Sequence, residues 1–206
     1  TGVVDFDALK KLNPDVVGWI YQKDTIINYP IMRGKDNDQY LHSDINKKYS
    51  VSGSIFMDYR NSADFSDFNT IIYGHHMHDG SMFKSLRGYT KETDYYKDHK
   101  TFELITPDKK YHLQIISSYI TPATSDAYKY SFNNQADKQA FINYAIKNSK
   151  ISTGITATTN DKIITLSTCA YDYDEARYVV VCKAIPWTKE EIKAGKKLQA
   201  KIDKQK

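Results

Sequence analysis

Two cysteines stand in runs that assign them different chemistry. Cys169 closes the run Ile163-Ile164-Thr165-Leu166-Ser167-Thr168, and the polar segment Ala170-Tyr171-Asp172-Tyr173-Asp174-Glu175 follows it. A strand that stops at the cysteine puts the thiol at the rim of a sheet, rigidly held and open to a substrate, as a nucleophile requires. Cys182 lies inside Tyr178-Val179-Val180-Val181, where a small buried hydrophobe is the natural reading. A free thiol with a pKa of about 8.5 is only a few per cent thiolate at neutral pH, so Cys169 needs a base or a cation nearby. Of the arginines, Arg33, Arg60 and Arg87 lie far upstream, and Arg177 opens the next strand-like run. If the two strands are antiparallel neighbours, thiol and guanidinium share one end of the sheet. The fork of donors there would bind an oxyanion or a substrate carbonyl, or else form a surface ion pair with Asp172, Asp174 or Glu175. His75, His76 and His78 follow the run 70–73. They are open to three readings: a polar loop, a metal site for which they lack the usual ligand spacing, or a general acid and base reaching Cys169 from another strand end. Ser167, two residues before Cys169, shares its face of the strand, as a substrate contact or as a hydroxyl bonded to backbone.

The elements that must hold these groups are mostly strands. Runs at 25–32, 54–58, 70–73, 101–106, 111–120, 162–167 and 177–185 are rich in β-branched and aromatic residues and end in turn residues. Seven or eight strands make a barrel or a sandwich. Pro107-Asp108 marks a turn that pairs two of them as a hairpin. Phe6, Leu9 and Leu12 have helical spacing, and Asn13-Pro14 stops that helix because proline disfavours helical geometry in the residue before it. A second helix is expected over 136–148, capped by Asn133 or Asn134, inside the long connection before the Cys169 strand. Thr188 and Glu191 have the spacing of a capping box, so a third begins at Lys189, with Gly195 predicting fraying toward its end.

The bulk numbers agree with a single globular domain that is mainly β. The chain has 206 residues, of which 40% are hydrophobic, and 17 Tyr with 8 Phe suit half-buried strand faces. Its net charge of +4 is accounted for by residues 189–206, where seven lysines face Glu190, Glu191 and Asp203. The remainder is neutral, which argues against a groove that tracks nucleic-acid phosphates and leaves a solvated basic tail or a contact with an anionic surface. Two cysteines without metal-ligand spacing support neither a zinc ribbon nor a disulfide scaffold. No run approaches the ~20 apolar residues that span a bilayer.

Several ordered segments together resemble class B sortases. They are Asn13-Pro14-Asp15-Val16-Val17-Gly18-Trp19-Ile20, Tyr29-Pro30-Ile31-Met32, Gly53-Ser54-Ile55-Phe56-Met57-Asp58-Tyr59-Arg60-Asn61, Tyr73-Gly74-His75 with Gly80-Ser81-Met82-Phe83, and Thr165-Leu166-Ser167-Thr168-Cys169 with the later Arg177. The resemblance implies an eight-stranded sortase β-barrel with peripheral helices, divided into an N-terminal helical segment (1–24), the barrel (25–187) and a basic C-terminal helix or tail (188–206). It implies Cys169 as nucleophile, His75 as the catalytic histidine, Arg177 beside the thiol, Ser167 and Thr168 as substrate contacts, and neither cofactor nor metal. Because adjacent strand residues point opposite ways, only one of His75 and His76 should face the cleft. The implied reaction cuts an NPxTN-like or NPxTG-like sorting signal after Thr through a thioester, then joins the Thr carbonyl to an amine of a cell-wall precursor or pilin. Hydrolysis by the same residues and a non-catalytic surface module are the other readings. The implied location is the outer face of the cell membrane, with an N-terminal anchor expected ahead of Thr1.

Overall fold

The computed structural model describes residues 4–169 and 172–204. Ala170 and Tyr171, at the head of the polar segment after the thiol, lie outside the described residues, as do the last two of the basic tail. Eight strands close into a barrel: β1 (Val16–Tyr21), β2 (Asn28–Met32), β3 (Ile55–Met57), β4 (Asn69–Tyr73), β5 (Thr101–Ile105), β6 (Lys110–Pro122), β7 (Lys162–Cys169) and β8 (Ala176–Pro186). Around the barrel the order is β1, β2, β3, β4, β7, β8, β6, β5, closed by β5 on β1. β2 with β3 and β4 with β7 are parallel, and the other neighbours are antiparallel. The mainly β architecture with peripheral helices is therefore the one expected, and the Pro107-Asp108 hairpin joins β5 to β6.

The barrel begins earlier than the assigned boundary at residue 25. Among the described residues of the segment 1–24, one short helix, α1 (Phe6–Leu12), is followed by β1, whose burial alternates residue by residue. Gly18 disguised this strand, since glycine is unfavourable within one. It stands where the β1–β2 register shifts, and a Cβ there would lie 3.1 Å from the Phe65 ring. Between β4 and β5 the chain forms elements that the sequence reading did not assign, a 3-10 turn (Lys84–Arg87) and two short helices, α2 (Gly88–Lys91) and α3 (Tyr95–Asp98). Phe83, Leu86 and Tyr89 from this stretch plug one end of the barrel core.

Strand alternation sorts the two hydrophobic layers. On β8, Val180, Cys182 and Ala184 point into the barrel, whereas Val179 and Val181 point outward beneath α4 (Gln135–Asn148). Asn134 caps α4 by accepting from the Asp137 amide, and Phe141 and Ala145 seal it to the sheet. Cys182 is wholly buried, and burial pushes its thiol far above the ordinary range.

The C-terminal helix α5 (Lys189–Asp203) starts with the expected capping box: the Thr188 amide donates to Glu191 Oε2 at 2.7 Å, and the Glu191 amide donates to Thr188 Oγ1 at 3.2 Å. It runs through Gly195 to Asp203, and the Trp187 ring lies beside Gly195. His112 pins the helix to the barrel. Its Nδ1 bonds Glu103 at 2.7 Å, its Nε2 bonds Glu191 Oε1 at 2.8 Å, and its ring stacks on Trp187. Burial opposes protonation of His112, but the carboxylates on both sides outweigh it and raise its pKa. A raised histidine pKa stabilises the fold below the unfolded value of about 6.5, and that contribution fades as pH rises through the folded value. Glu191 is held low, chiefly by its bond from the Thr188 amide, so its share is present above the ordinary Glu range and is lost as pH falls through the depressed value. Trp187 fluorescence should therefore report loosening of α5 as pH rises above about 6.5, and His112→Phe should abolish that transition. A pH-independent wild-type signal would rule out the pin.

Candidate active site

Cys169 is the last residue of β7 and pairs directly with Arg177 on β8, so thiol and guanidinium lie side by side on one edge of the barrel. Both have the outward parity of Ile163 and Val179, toward the α4 side of the sheet. The thiol is partly exposed, in contrast to Cys182, and both cysteines are free. Arg177 Nη1 donates to the Ala176 carbonyl at 2.9 Å and Nη2 to Glu175 Oε2 at 3.2 Å. The ion pair that sequence offered as an alternative is thus present, but its carboxylate is 77% exposed, and such a pair contributes about 0–1 kcal/mol. A guanidinium has five N–H donors, so the pair leaves most of the fork available to the cleft.

β4 delivers the histidines. It pairs in parallel with β7, setting Tyr73 opposite Ser167, and the Gly74 amide extends the ladder by donating to the Ser167 carbonyl at 3.1 Å. A side chain at residue 74 would collide with Ile55 and with the Phe83 ring, so only glycine lets the chain pass between them. Beyond Gly74 the histidines diverge. His75 Nε2–H donates to the Leu41 carbonyl at 2.7 Å, and its ring stacks on His42 with centroids 5.5 Å apart. That bond fixes the neutral tautomer and leaves Nδ1 as the proton acceptor. His76 turns the other way. Its Nδ1–H donates to the Cys169 carbonyl at 2.9 Å, and its pKa is lowered, by burial first and then by the Lys84 and Arg87 charges, against the raising effect of that bond.

His75, Cys169 and Arg177 line one cleft of about 330 Å³, together with Tyr73, Tyr128, Ser167 and Thr168, while His76 lines a different cavity. Ser167 is buried and its hydroxyl bonds Tyr128 Oη at 2.8 Å, so it shapes the wall through a side chain rather than through backbone. Thr168 is also buried, and its Oγ1 has no hydrogen-bond partner among the described residues. Such an atom costs about 1–3 kcal/mol unless something enters to satisfy it. Tyr128, raised to about 12 mainly by burial, remains a neutral hydroxyl and stacks on Tyr73.

Tyr73 leads to a support that sequence did not reveal. Its hydroxyl donates to Asp58 Oδ2 at 2.9 Å, and the fully buried Asp58 carboxylate also takes a two-pronged contact from Arg60 and a bond from Asn37. Burial works against that charge, but Arg60, Tyr73 and Asn37 together keep the carboxyl below its ordinary range. The Met57-Asp58-Tyr59-Arg60 stretch carried the family resemblance without a role. Its function here is to fix the cleft floor. Of the acidic segment, Asp172 is engaged by Lys91 and by Tyr178 Oη, and Glu175 by Arg177.

A nucleophile, a histidine with an oriented tautomer and a guanidinium around one cleft are a set suited to acyl transfer. Comparison with known proteins gives the same class. The sortase domain model matches residues 20–185. Sortase B of Staphylococcus aureus is 41% identical over 182 residues, covering 87% of this chain and 74% of that protein. Sortase B of Listeria monocytogenes is 41% identical over 181 residues, covering 86% and 72%. The solved structure of a Staphylococcus aureus sortase B–substrate complex superposes with a TM-score of 0.83 at 40% identity, covering 89% of this chain and 85% of that one. Clostridium perfringens sortase B superposes with a TM-score of 0.82 at 37% identity, covering 88% and 100%. A match over most of the chain in sequence and in fold, with the thiol at the end of the strand where the motif puts it, makes this chain a class B member of the sortase family, the cysteine transpeptidases.

Proposed function

We propose that Cys169, His75 and Arg177 carry out a two-step acyl transfer on a sorting signal of the NPxTN or NPxTG kind, at the outer face of the cell membrane. The observation that carries this reading is the direct pairing of Cys169 with Arg177, with His75 lining the same cleft. In the first step the Cys169 thiol gives its proton to His75 Nδ1, the resulting thiolate attacks the Thr carbonyl of the signal, and Arg177 donates to the oxyanion that forms. The C–N bond then breaks, the departing amine takes a proton from the His75 imidazolium, and a thioester remains. In the second step an acceptor amine attacks the thioester and gives a proton to His75. The C–S bond breaks and the thiolate returns. Ser167 and Thr168, which line the cleft, are the substrate contacts we assign, with the Ser167 hydroxyl held by Tyr128.

Transfer rather than hydrolysis depends on the amine outcompeting water at the thioester. The structures to which the fold compares include a sortase B complexed with triglycine. An amine of that kind, from a cell-wall precursor or a pilin, is the acceptor we propose here. Mass spectrometry of products from a signal-peptide library, with and without triglycine, tests the whole reading: an amide product should appear with the amine present. Acid as the sole product in its presence would make the chain a hydrolase.

Five substitutions test the assignments. Cys169→Ala should abolish acyl-enzyme formation and Cys182→Ala should retain most of it; equal loss in two folded variants would overturn the choice of thiol. His75→Ala should lower turnover by roughly 10²-fold or more, the scale of a lost acid–base group, whereas His76→Ala loses one hydrogen bond to the Cys169 carbonyl and should cost about 10-fold at most. The reverse ranking moves the catalytic role one residue along. Arg177→Lys keeps charge but loses the fork, so acyl-enzyme formation should fall by roughly 10²-fold; a near wild-type rate would reject the directed-donor role.

A further inference from the structure

A second cavity, of about 360 Å³, backs onto the nucleophile from the opposite side of the barrel rim. Successive residues divide the two spaces between them: Arg177 lines the cleft that holds the thiol, and Tyr178 lines this one, just as His75 and His76 separate. His76 bonds the Cys169 carbonyl, so the backbone of the nucleophile itself is the wall between the two. The charges around the second cavity do not balance. Lys84, Arg87 and Lys91 face a single carboxylate, Asp172. Lys91 and the Tyr178 hydroxyl already engage Asp172. Lys84 Nζ donates to the His78 carbonyl at 2.7 Å with Asp79 within electrostatic reach, and Arg87 bonds the Tyr178 hydroxyl within reach of Asp172; neither makes a direct ion pair with a carboxylate among the described residues. Three cations against Asp172 and the exposed Asp79 leave an excess of positive charge at the mouth of a cavity beside the thiol, which makes a place for an anion.

We propose that this cavity is an acceptor-side subsite, in which Lys84 and Arg87 bind an anionic group, carboxylate or phosphate, carried by the molecule whose amine resolves the thioester. The proposal rests on the transpeptidase reading of Cys169 given above. The signal peptide fills the thiol cleft during the first step, so the second substrate must approach from a side that the acyl chain leaves open. An acceptor held by its own charge presents its amine at a high effective concentration. Water has no such handle. The subsite therefore favours aminolysis over hydrolysis without touching the reacting atoms.

The test resolves a preformed acyl-enzyme with triglycine or with triglycinamide, which lacks the terminal carboxylate, in wild type and in the Lys84→Gln/Arg87→Gln double variant, with inorganic pyrophosphate as a competitor. If the anion is a carboxylate, the wild-type KM for triglycine should lie roughly five- to ten-fold below that for triglycinamide, the scale of one partly exposed charge pair. The double variant should erase the difference. If the anion is a phosphate, the two acceptors should behave alike, but pyrophosphate should raise the KM of both in wild type and in neither with the double variant. Acyl-enzyme formation, measured separately, shows that the variant is folded and its thiol competent. Equal KM values together with no effect of pyrophosphate would overturn the subsite and leave the transpeptidase reading intact. A wild type that forms no acyl-enzyme overturns both.

Discussion

The register of β7 is the constraint on which the site depends. This strand is hydrogen-bonded on one side to β4 in parallel, with Ser167 opposite Tyr73, and on the other to β8 antiparallel, with Cys169 opposite Arg177. One alignment therefore places all three of the candidate catalytic groups. A slip of one residue would turn Cys169 toward the barrel interior and move Leu166 out of the core, so hydrophobic burial enforces the geometry of the thiol. The chemistry at the rim is positioned by apolar packing well below it.

The second determinant is the buried carboxylate of Asp58. A lone charge in that position would be costly, and Arg60, Tyr73 and Asn37 supply the partners that make it tolerable. The same bonds tie β3, β4 and the loop before β3 into one unit beneath the cleft. Its neighbour Leu41 extends that unit toward the chemistry, since the Leu41 carbonyl both orients His75 and occupies the space that a Cβ on Gly53 would need. Gly53 has a φ of +55, so the bare residue satisfies the turn and the close approach together.

Seven of the eight strands were legible because their β-branched and aromatic runs are bounded by turn residues, and side-chain chemistry gave the cap at Thr188 outright and the cap at Asn134 as one of two adjacent candidates. β1 was not, because Gly18 interrupts its propensity where a bulge needs it. The turn and short helices over 84–98 were missed for a related reason: each is about one turn long, too short for periodicity to register, and tertiary contacts of Leu86 and Tyr89 hold them. At the site, the strand-end position of Cys169 and its proximity to Arg177 could be inferred from local sequence. Leu41, Asp58 and Tyr128 could not be assigned roles, because their importance comes from contacts with partners 15 to 39 positions away in the chain. Spacing rules carry no information at that range.

The parallel alignment of β4 with β7 has a further consequence, for the order in which the protein acquires reactivity. His76 and Cys169 are 93 positions apart, and no hairpin can bring such strands together. Closing a loop of that size gains nothing until β5, β6 and α4 have a surface to dock on, so this pairing belongs to a late stage of folding. Until then the thiol lacks its imidazole, although the local β7–β8 pairing can already set Arg177 beside it. The complete set of nucleophile, guanidinium and imidazole therefore comes into being only with the finished barrel.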